Sequence, residues 1–172
     1  MTGTFLYAIG LGSNRRHGRH GAPRGVIAAA MRALEQAFVV TKRSAIVGTD
    51  PLGPSTRRFA NAAVLIETPL PPPALLAHLK CLEQAFGRRP GRRWGARVLD
   101  LDLLLWSGGR WHSARPALTI PHVSLVHRRF VLDPLVAVAP SWRLPGDARA
   151  VRHLAYRLTM AHPANRSGRV GP

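Results

Sequence analysis

The chain has 172 residues, an apolar share of 46% and a formal net charge of +17. This length and apolar share predict one globular domain with a substantial core, and they exclude a disordered chain. Nearly all of the positive charge is arginine, because Lys42 and Lys80 are the only lysines. Such a charge attracts polyanions, which makes nucleic acids, anionic membranes and nucleotide triphosphates the candidate partners.

Three features of the sequence favour a cytoplasmic protein. The single cysteine, Cys81, has no partner for an intrachain disulfide, which fits a reducing compartment. The N-terminus lacks a basic segment followed by an apolar core, so no secretory signal is visible. No apolar run reaches the length of a transmembrane helix, so we expect no membrane partner.

The apolar patterns predict a strand, a helix, two strands, a second helix and a further strand. Their predicted bounds are 4–11, 23–38, 39–48, 59–68, a helix that follows the prolines at 71–73 and ends at Phe86, and a strand from 98 onward. This order is typical of the ferredoxin-like (βαββαβ) pattern. The sequence therefore predicts an α+β domain whose antiparallel sheet carries helices on one face.

The rest of the chain forms a C-terminal extension of this domain. The predicted features are a turn at 107–109, extended chain over 116–122, one helical turn at 124–128, an apolar segment over 130–139 and a short helix around 148–158. We expect a single domain over 1–160 and a disordered polar tail over 161–172.

Two aspartates interrupt the apolar run of the last strand of the predicted sheet. Because side chains alternate faces along a strand, Asp100 and Asp102 share one face and lie within reach of one cation. Aspartate is disfavoured in strands, and the chain has only eight acidic residues. The pattern predicts a hard divalent cation, Mg²⁺, shared with substrate phosphates. The alternative is a solvated sheet face on which each aspartate pairs with an arginine.

Several short motifs follow one another along residues 6–145. They are Gly12-Ser13-Asn14, Phe59-Ala60-Asn61-Ala62-Ala63, Glu83, Gly87-Arg88, Arg93-Trp94-Gly95-Ala96-Arg97, Leu99-Asp100-Leu101-Asp102, Ile120-Pro121-His122 and Arg128-Arg129-Phe130-Val131-Leu132. In sequence and in order they resemble the 6-hydroxymethyl-7,8-dihydropterin pyrophosphokinase family of folate biosynthesis. The Trp-Gly-x-Arg-x-Leu-Asp-Leu-Asp block is the most specific of them.

The resemblance implies an ATP- and Mg-dependent diphosphokinase with a ferredoxin-like fold. It implies that the pyrophosphoryl group of ATP moves to the pterin hydroxymethyl oxygen and leaves AMP. Asp100 and Asp102 would hold two Mg²⁺ ions. Arg88 and Arg97 would close over the phosphates and act in catalysis with this pair. The residues that the resemblance assigns to nucleotide binding are Glu83, Arg88, Arg97, His122 and Arg128.

The resemblance also implies a slot for the flat pterin ring. Phe59 and Phe130 would stack on its two faces, and Asn61 would bind its polar edge. Backbone groups around Thr49 and Leu52 would add contacts, and Trp94 would cover the site when the segment over 88–97 closes on the nucleotide. The implied partners are ATP and the reduced pterin, bound by a monomer without nucleic acid.

Two other functions fit part of the pattern. An RNA-binding ferredoxin-like domain would use the positive charge, but strands 6–11 and 60–66 lack the aromatic residues on which such domains stack bases. A metal-dependent nucleotidyl transferase could also present two aspartates on a sheet. It would release pyrophosphate, whereas a pyrophosphokinase releases AMP.

Overall fold

The computed structural model describes residues 3–49, 59–87, 98–147 and 149–161. The strands are β1 (Phe5–Ser13), β2 (Val39–Arg43), β3 (Val47–Thr49), β4 (Phe59–Thr68), β5 (Asp100–Trp106), β6 (Trp111–Ala114) and β7 (Ala117–Ile120). The helices are α1 (Pro23–Ala37), α2 (Pro72–Ala85), α3 (Arg129–Val138) and α4 (Val151–Ala161), with a 3-10 turn at Leu125–His127. None of these described helices is long and apolar enough to cross a membrane.

The main sheet is antiparallel, with the strand order β2-β4-β1-β5, and β3 also pairs with β4. The central strand β1 therefore has a neighbour on each side, and β5 ends the sheet on one side. This arrangement confirms the predicted α+β, ferredoxin-like fold. A separate hairpin of β6 and β7 follows the sheet, and its first strand was not predicted.

The single strand predicted over 39–48 is wrong, because the structure has two short strands there. The interruption lies at Ser44, whose backbone N–H donates to the Ala63 carbonyl at 2.9 Å. The Ser44 hydroxyl accepts from the Ala63 N–H at 2.9 Å, where a strand would use a backbone carbonyl. It also donates to the Ala45 carbonyl at 2.8 Å. A side chain thus replaces the backbone in the ladder and ends β2.

The sheet buries both of its faces. The first face, toward α1 and α2, carries Tyr7, Ile9 and Leu11 of β1 in one core cluster. The second face carries Ala8 of β1 in a separate core cluster formed with α3 and α4. The predicted helices on one face are confirmed as α1 and α2. The C-terminal extension folds back to cover the other face, and its apolar segment over 130–139 lies largely in helix α3.

The predicted C-terminal boundary of the domain falls at the end of the described residues. The short helix predicted around 148–158 is α4, displaced toward the C-terminus. Residues 162–172 of the predicted tail lie outside the described residues, as does the segment 88–97 that was predicted to close over the nucleotide. The domain limits of 1–160 and 161–172 stay predictions.

A buried hydroxyl in the centre of the first core offers a test of this fold. Tyr7 is fully buried, and its hydroxyl donates to the Leu70 carbonyl at 2.7 Å. Tyr7→Phe should leave that carbonyl without its donor and lower the free energy of unfolding by about 1 to 2 kcal/mol in urea titrations. The matched control is Tyr156→Phe, because Tyr156 is 62% exposed and should tolerate the change. Equal stability of both variants would contradict the assigned hydrogen bond.

Candidate functional site

The two aspartates of β5 point away from the first core. Leu99, Leu101 and Leu103 are buried in the cluster with α1 and α2. Because side chains alternate along a strand, Asp100 and Asp102 both face the second side of the sheet. There they are half-buried rather than exposed. The predicted placement of both carboxylates on one face is thus what the structure has.

The electrostatics of this pair favour a bound cation. Burial first, and then the neighbouring carboxylate of Asp100, raises the pKa of Asp102 above its ordinary value. His122 and Lys80 act on this pKa in the opposite direction. In the described part of the chain, no group of three or more His, Cys, Asp or Glu side chains could hold a metal alone. The pair therefore suits a hard cation that takes its remaining ligands from elsewhere, as Mg²⁺ does with phosphates.

The backbone ladder brings a polar side chain of β4 into line with this pair. Gly12 of β1 is paired with Asn61 on one side and with Asp100 on the other. Neighbouring strands lie about 4.8 Å apart, so the backbones at Asn61 and Asp100 are about 10 Å apart. Gly12 has no side chain to fill the space between them, and a Cβ there would lie 3.5 Å from the Asn61 Oδ1 atom. The register thus leaves no side chain of β1 between the Asn61 amide and the Asp100 carboxylate.

The two phenylalanines predicted to bind the pterin, Phe59 and Phe130, lie on β4 and on α3. Phe59 is the first residue of β4 and shares a face with Asn61, two positions along the strand. Phe130 lies in the first turn of α3, which packs on β4. Both rings are half-buried, and the Arg128 guanidinium carbon lies 5.8 Å from the centre of the Phe130 ring. Sheet and helix thus each contribute one partly accessible ring.

His122 is held by backbone contacts next to β5. Its N–H donates to the Leu104 carbonyl at 3.0 Å. Its ring Nδ1 accepts from the Ser124 N–H at 3.2 Å, so the neutral ring carries its proton on Nε2. Leu104 lies two residues beyond Asp102 on β5, and His122 acts to lower the pKa of Asp102. It can therefore offer an Nε2–H donor beside a bound anion.

Glu83 lies on α2, and its burial differs from what its predicted role in nucleotide binding requires. Its side chain is fully buried, so in this conformation it presents no surface to a nucleotide. Its Oε1 accepts from the Leu101 N–H at 2.7 Å and from the Lys80 Nζ at 2.8 Å. Sequence analysis missed Lys80, although its position three residues before Glu83 on a helix was a signal for an ion pair.

Some predicted site residues fall outside what the structure describes. These are Leu52, Arg88, Trp94 and Arg97. Thr49 is the last residue of β3, where it pairs with Phe59. The structure thus brings Asn61 into register with the aspartate pair, with Phe59 two residues away on the same strand as Asn61 and His122 bonded to β5. Their assigned roles stay predictions.

A pocket of about 660 Å³ adjoins Phe59 from the side of helix α1. Its lining includes three arginines that the sequence analysis did not single out, Arg15, Arg16 and Arg24. Arg24 also donates to the Ile46 carbonyl at 2.8 Å, which fixes it against the chain between β2 and β3. Three arginines therefore line the space beside Phe59.

The sequence matches the family model described as 7,8-dihydro-6-hydroxymethylpterin-pyrophosphokinase over residues 8–140. A 2-amino-4-hydroxy-6-hydroxymethyldihydropteridine pyrophosphokinase of Pseudomonas aeruginosa is 39% identical over 149 residues, with 85% of each chain covered. The chain belongs to this family. The resemblance predicted from the sequence motifs is thereby confirmed.

Further relatives of this pyrophosphokinase family agree. A protein of the same name from Methylorubrum extorquens is 38% identical over 150 residues, covering 86% of this chain and 89% of that relative. One from Synechocystis is 40% identical over 102 residues, which are 59% of this chain and 51% of that relative. The solved structure of Plasmodium falciparum HPPK-DHPS wild type has a TM-score of 0.73 and 14% identity over 94% of this chain. That similarity shows the fold, and this chain covers 43% of the solved one.

The raised pKa of Asp102 gives a prediction for stability. A raised carboxylate pKa means that the folded state loses stability as the pH rises through that pKa. Asp102→Asn should therefore raise the free energy of unfolding at neutral pH without metal, and the gain should shrink in acid, where Asp102 is protonated. Urea titrations across this pH range would measure it.

The matched control is Glu67→Gln. Glu67 is exposed at the other end of β4, opposite Leu6, and its replacement should change the free energy of unfolding by no more than about 0.5 kcal/mol. A loss of stability in Asp102→Asn at neutral pH would contradict the repulsion between the two carboxylates.

Proposed function

We propose that the chain transfers the pyrophosphoryl group of ATP to the hydroxymethyl oxygen of 6-hydroxymethyl-7,8-dihydropterin. The products are AMP and the pterin diphosphate, and the reaction belongs to folate biosynthesis. Membership of the pyrophosphokinase family supports this activity. The observation that carries it is the register of the site, in which Gly12 lies between Asn61 and Asp100, and Asp102 follows on the same face of β5.

Asp100 and Asp102 are the residues that would hold Mg²⁺, with two ions expected between them and the triphosphate. Bound there, Mg²⁺ would neutralise the charge of the phosphates and help to orient the attacking hydroxyl. The half-buried carboxylates of Asp100 and Asp102 repel each other, and a bound cation would relieve this repulsion. Phosphoryl transfer asks little covalent chemistry of a protein, so positioning and neutralisation of charge are the main tasks of these side chains.

The nucleotide phosphates are the partners expected for the cationic groups around this pair. His122 would donate its Nε2–H, and Arg128 would add a guanidinium beside the Phe130 ring. Arg88 and Arg97 would contribute from the arginine-rich segment, exclude water and act in catalysis. Glu83 belongs to the same nucleotide site by family resemblance, and its burial favours an indirect role.

The pterin ring is flat, aromatic and rich in hydrogen-bonding edges. Phe59 and Phe130 would stack on it, and the Asn61 amide would bind its edge. Backbone groups at Thr49 and Leu52 would add contacts, and Trp94 would cover the ring. With these contacts the ring would lie toward β4 and the hydroxymethyl group toward β5, where the carboxylates lie.

The test of this reaction is to identify the products formed from ATP, Mg²⁺ and the reduced hydroxymethyl pterin. We expect AMP and the pterin diphosphate, whereas release of pyrophosphate would favour a nucleotidyl transferase. Asp100→Ala and Asp102→Ala should each abolish AMP formation and keep the native circular dichroism spectrum. Glu67→Ala, an acidic residue at the far end of the sheet, should keep its activity. Near-normal turnover of either aspartate variant would refute the metal assignment.

Phe130 offers a test of the pterin slot. Stacking of a flat base on an aromatic side chain contributes about 1 to 3 kcal/mol, and a pterin should gain similarly. Phe130→Ala should therefore raise the dissociation constant of the pterin far more than that of ATP, as measured by calorimetry with a non-hydrolysable ATP analogue. Phe130→Tyr keeps the ring and should bind nearly normally. An equal loss of affinity for the pterin and for ATP would indicate that Phe130 stabilises the packing of α3 instead.

We further propose that the protein acts in the cytoplasm as a monomer and does not use nucleic acid. The small-molecule substrates of the family support this view. The single free cysteine, Cys81, also fits a reducing compartment. Size-exclusion chromatography with light scattering would test the monomer, and salt-sensitive RNA binding without ATP turnover would contradict the enzymatic assignment.

A further inference from the structure

Strand β5 is held from outside the sheet by a buried carboxylate. Glu83 lies near the C-terminal end of α2, and its Oε1 accepts from the Leu101 N–H at 2.7 Å. In the described part of the chain β5 pairs with β1 and ends the sheet, so this N–H points to the side where no strand follows. The Glu83 carboxylate thus takes the place that a neighbouring strand would fill.

The position of this contact along β5 connects it to the site. Leu101 is the residue between Asp100 and Asp102, and its own side chain is fully buried in the first core. Three constraints therefore meet at Leu101: the ladder to Leu11 of β1, the packing of its side chain, and the bond to Glu83. Each of them limits how far the two flanking aspartates can turn.

A buried carboxylate requires a partner of opposite charge. Glu83 has no exposed side-chain surface, and an isolated ionised group there would be strongly disfavoured. Lys80 lies one helical turn before it and places its Nζ 2.8 Å from the Glu83 Oε1. The Lys80 side chain is 39% exposed, so it reaches from the surface to the buried group. Removing Lys80 alone would leave Glu83 buried without this counter-charge.

We propose that Lys80 and Glu83 form a positioning pair that fixes β5 at Leu101 and thereby holds Asp100 and Asp102 in place for the cation. Glu83 then acts on the reaction through the strand rather than as a direct nucleotide contact. Groups that orient the metal ligands without touching the metal typically change metal affinity by about 10- to 100-fold when they are mutated. The inference rests on the proposed function, because it takes the aspartates as metal ligands.

The test combines two measurements on the full chain. Mn²⁺ binding in the presence of a non-hydrolysable ATP analogue, followed by electron paramagnetic resonance, reports on the aspartate pair. Hydrogen exchange of the Leu101 amide by NMR reports on the contact itself. Glu83→Leu should accelerate this exchange and weaken Mn²⁺ binding by about tenfold or more. Glu83→Gln keeps a carbonyl acceptor and should preserve most of the affinity.

Lys80 provides an independent arm in case Glu83→Leu does not fold. Lys80→Met should weaken Mn²⁺ binding, whereas Lys80→Arg should preserve it. The double variant Lys80→Met with Glu83→Gln should recover most of the lost affinity, because Glu83→Gln removes the buried charge. The matched control is the Arg43–Glu35 pair, which has the same 2.8 Å separation on the surface. Arg43→Met and Glu35→Gln should leave both measurements unchanged.

The outcomes separate this inference from the proposed function. If the wild-type protein binds Mn²⁺ and Asp100→Asn abolishes binding, the metal assignment holds. The positioning role is then overturned if the Lys80 and Glu83 variants bind Mn²⁺ normally, even where their thermal stability falls. If the wild-type protein does not bind Mn²⁺ with the nucleotide analogue, it is the proposed function that fails.

Discussion

The hydrogen-bonded ladder on both sides of β1 is the constraint on which the rest of the molecule depends. It sets Gly12 opposite Asn61 and Asp100. A slip of one residue along β5 would turn Leu101 toward the site and the aspartates into the core, because side chains alternate along a strand. The same register therefore buries the leucines in the first core and turns the half-buried carboxylates to the opposite face, so core packing itself fixes the geometry of the site.

The second face of the sheet shows how the C-terminal extension contributes. Helix α3 covers the part of this face next to Ala63 and Leu65, and the aspartate end stays accessible. Because Phe130 lies in the first turn of α3, its ring is positioned by the same packing that buries Leu132 and Leu135. The position of the ring proposed to bind the pterin thus depends on a core formed by the two halves of the chain.

The sequence predicted most of the sheet, because its strands carry clear apolar patterns. It also predicted α1 and α2, because each of these helices begins at a proline. Asp100 and Asp102 were predicted because two charges in an apolar strand are conspicuous. The interruption at Ser44 was missed, because it depends on a hydrogen bond to Ala63 nineteen residues away. The burial of Glu83 was missed for a similar reason. Its partner on β5 becomes apparent only when the edge of the sheet is known.

The glycine at the centre of the site has a consequence for which substrates fit. The separation of the backbones at Asn61 and Asp100 is set by the spacing between strands, which hydrogen bonds hold nearly constant. It can therefore change only in whole steps, by adding a strand or a residue pair, and not by small adjustments of Asn61 or Asp100. Under the proposed function, this fixed spacing would favour one distance between the pterin ring and its hydroxyl, and a pterin whose hydroxyl lies one bond farther from the ring should bind less well.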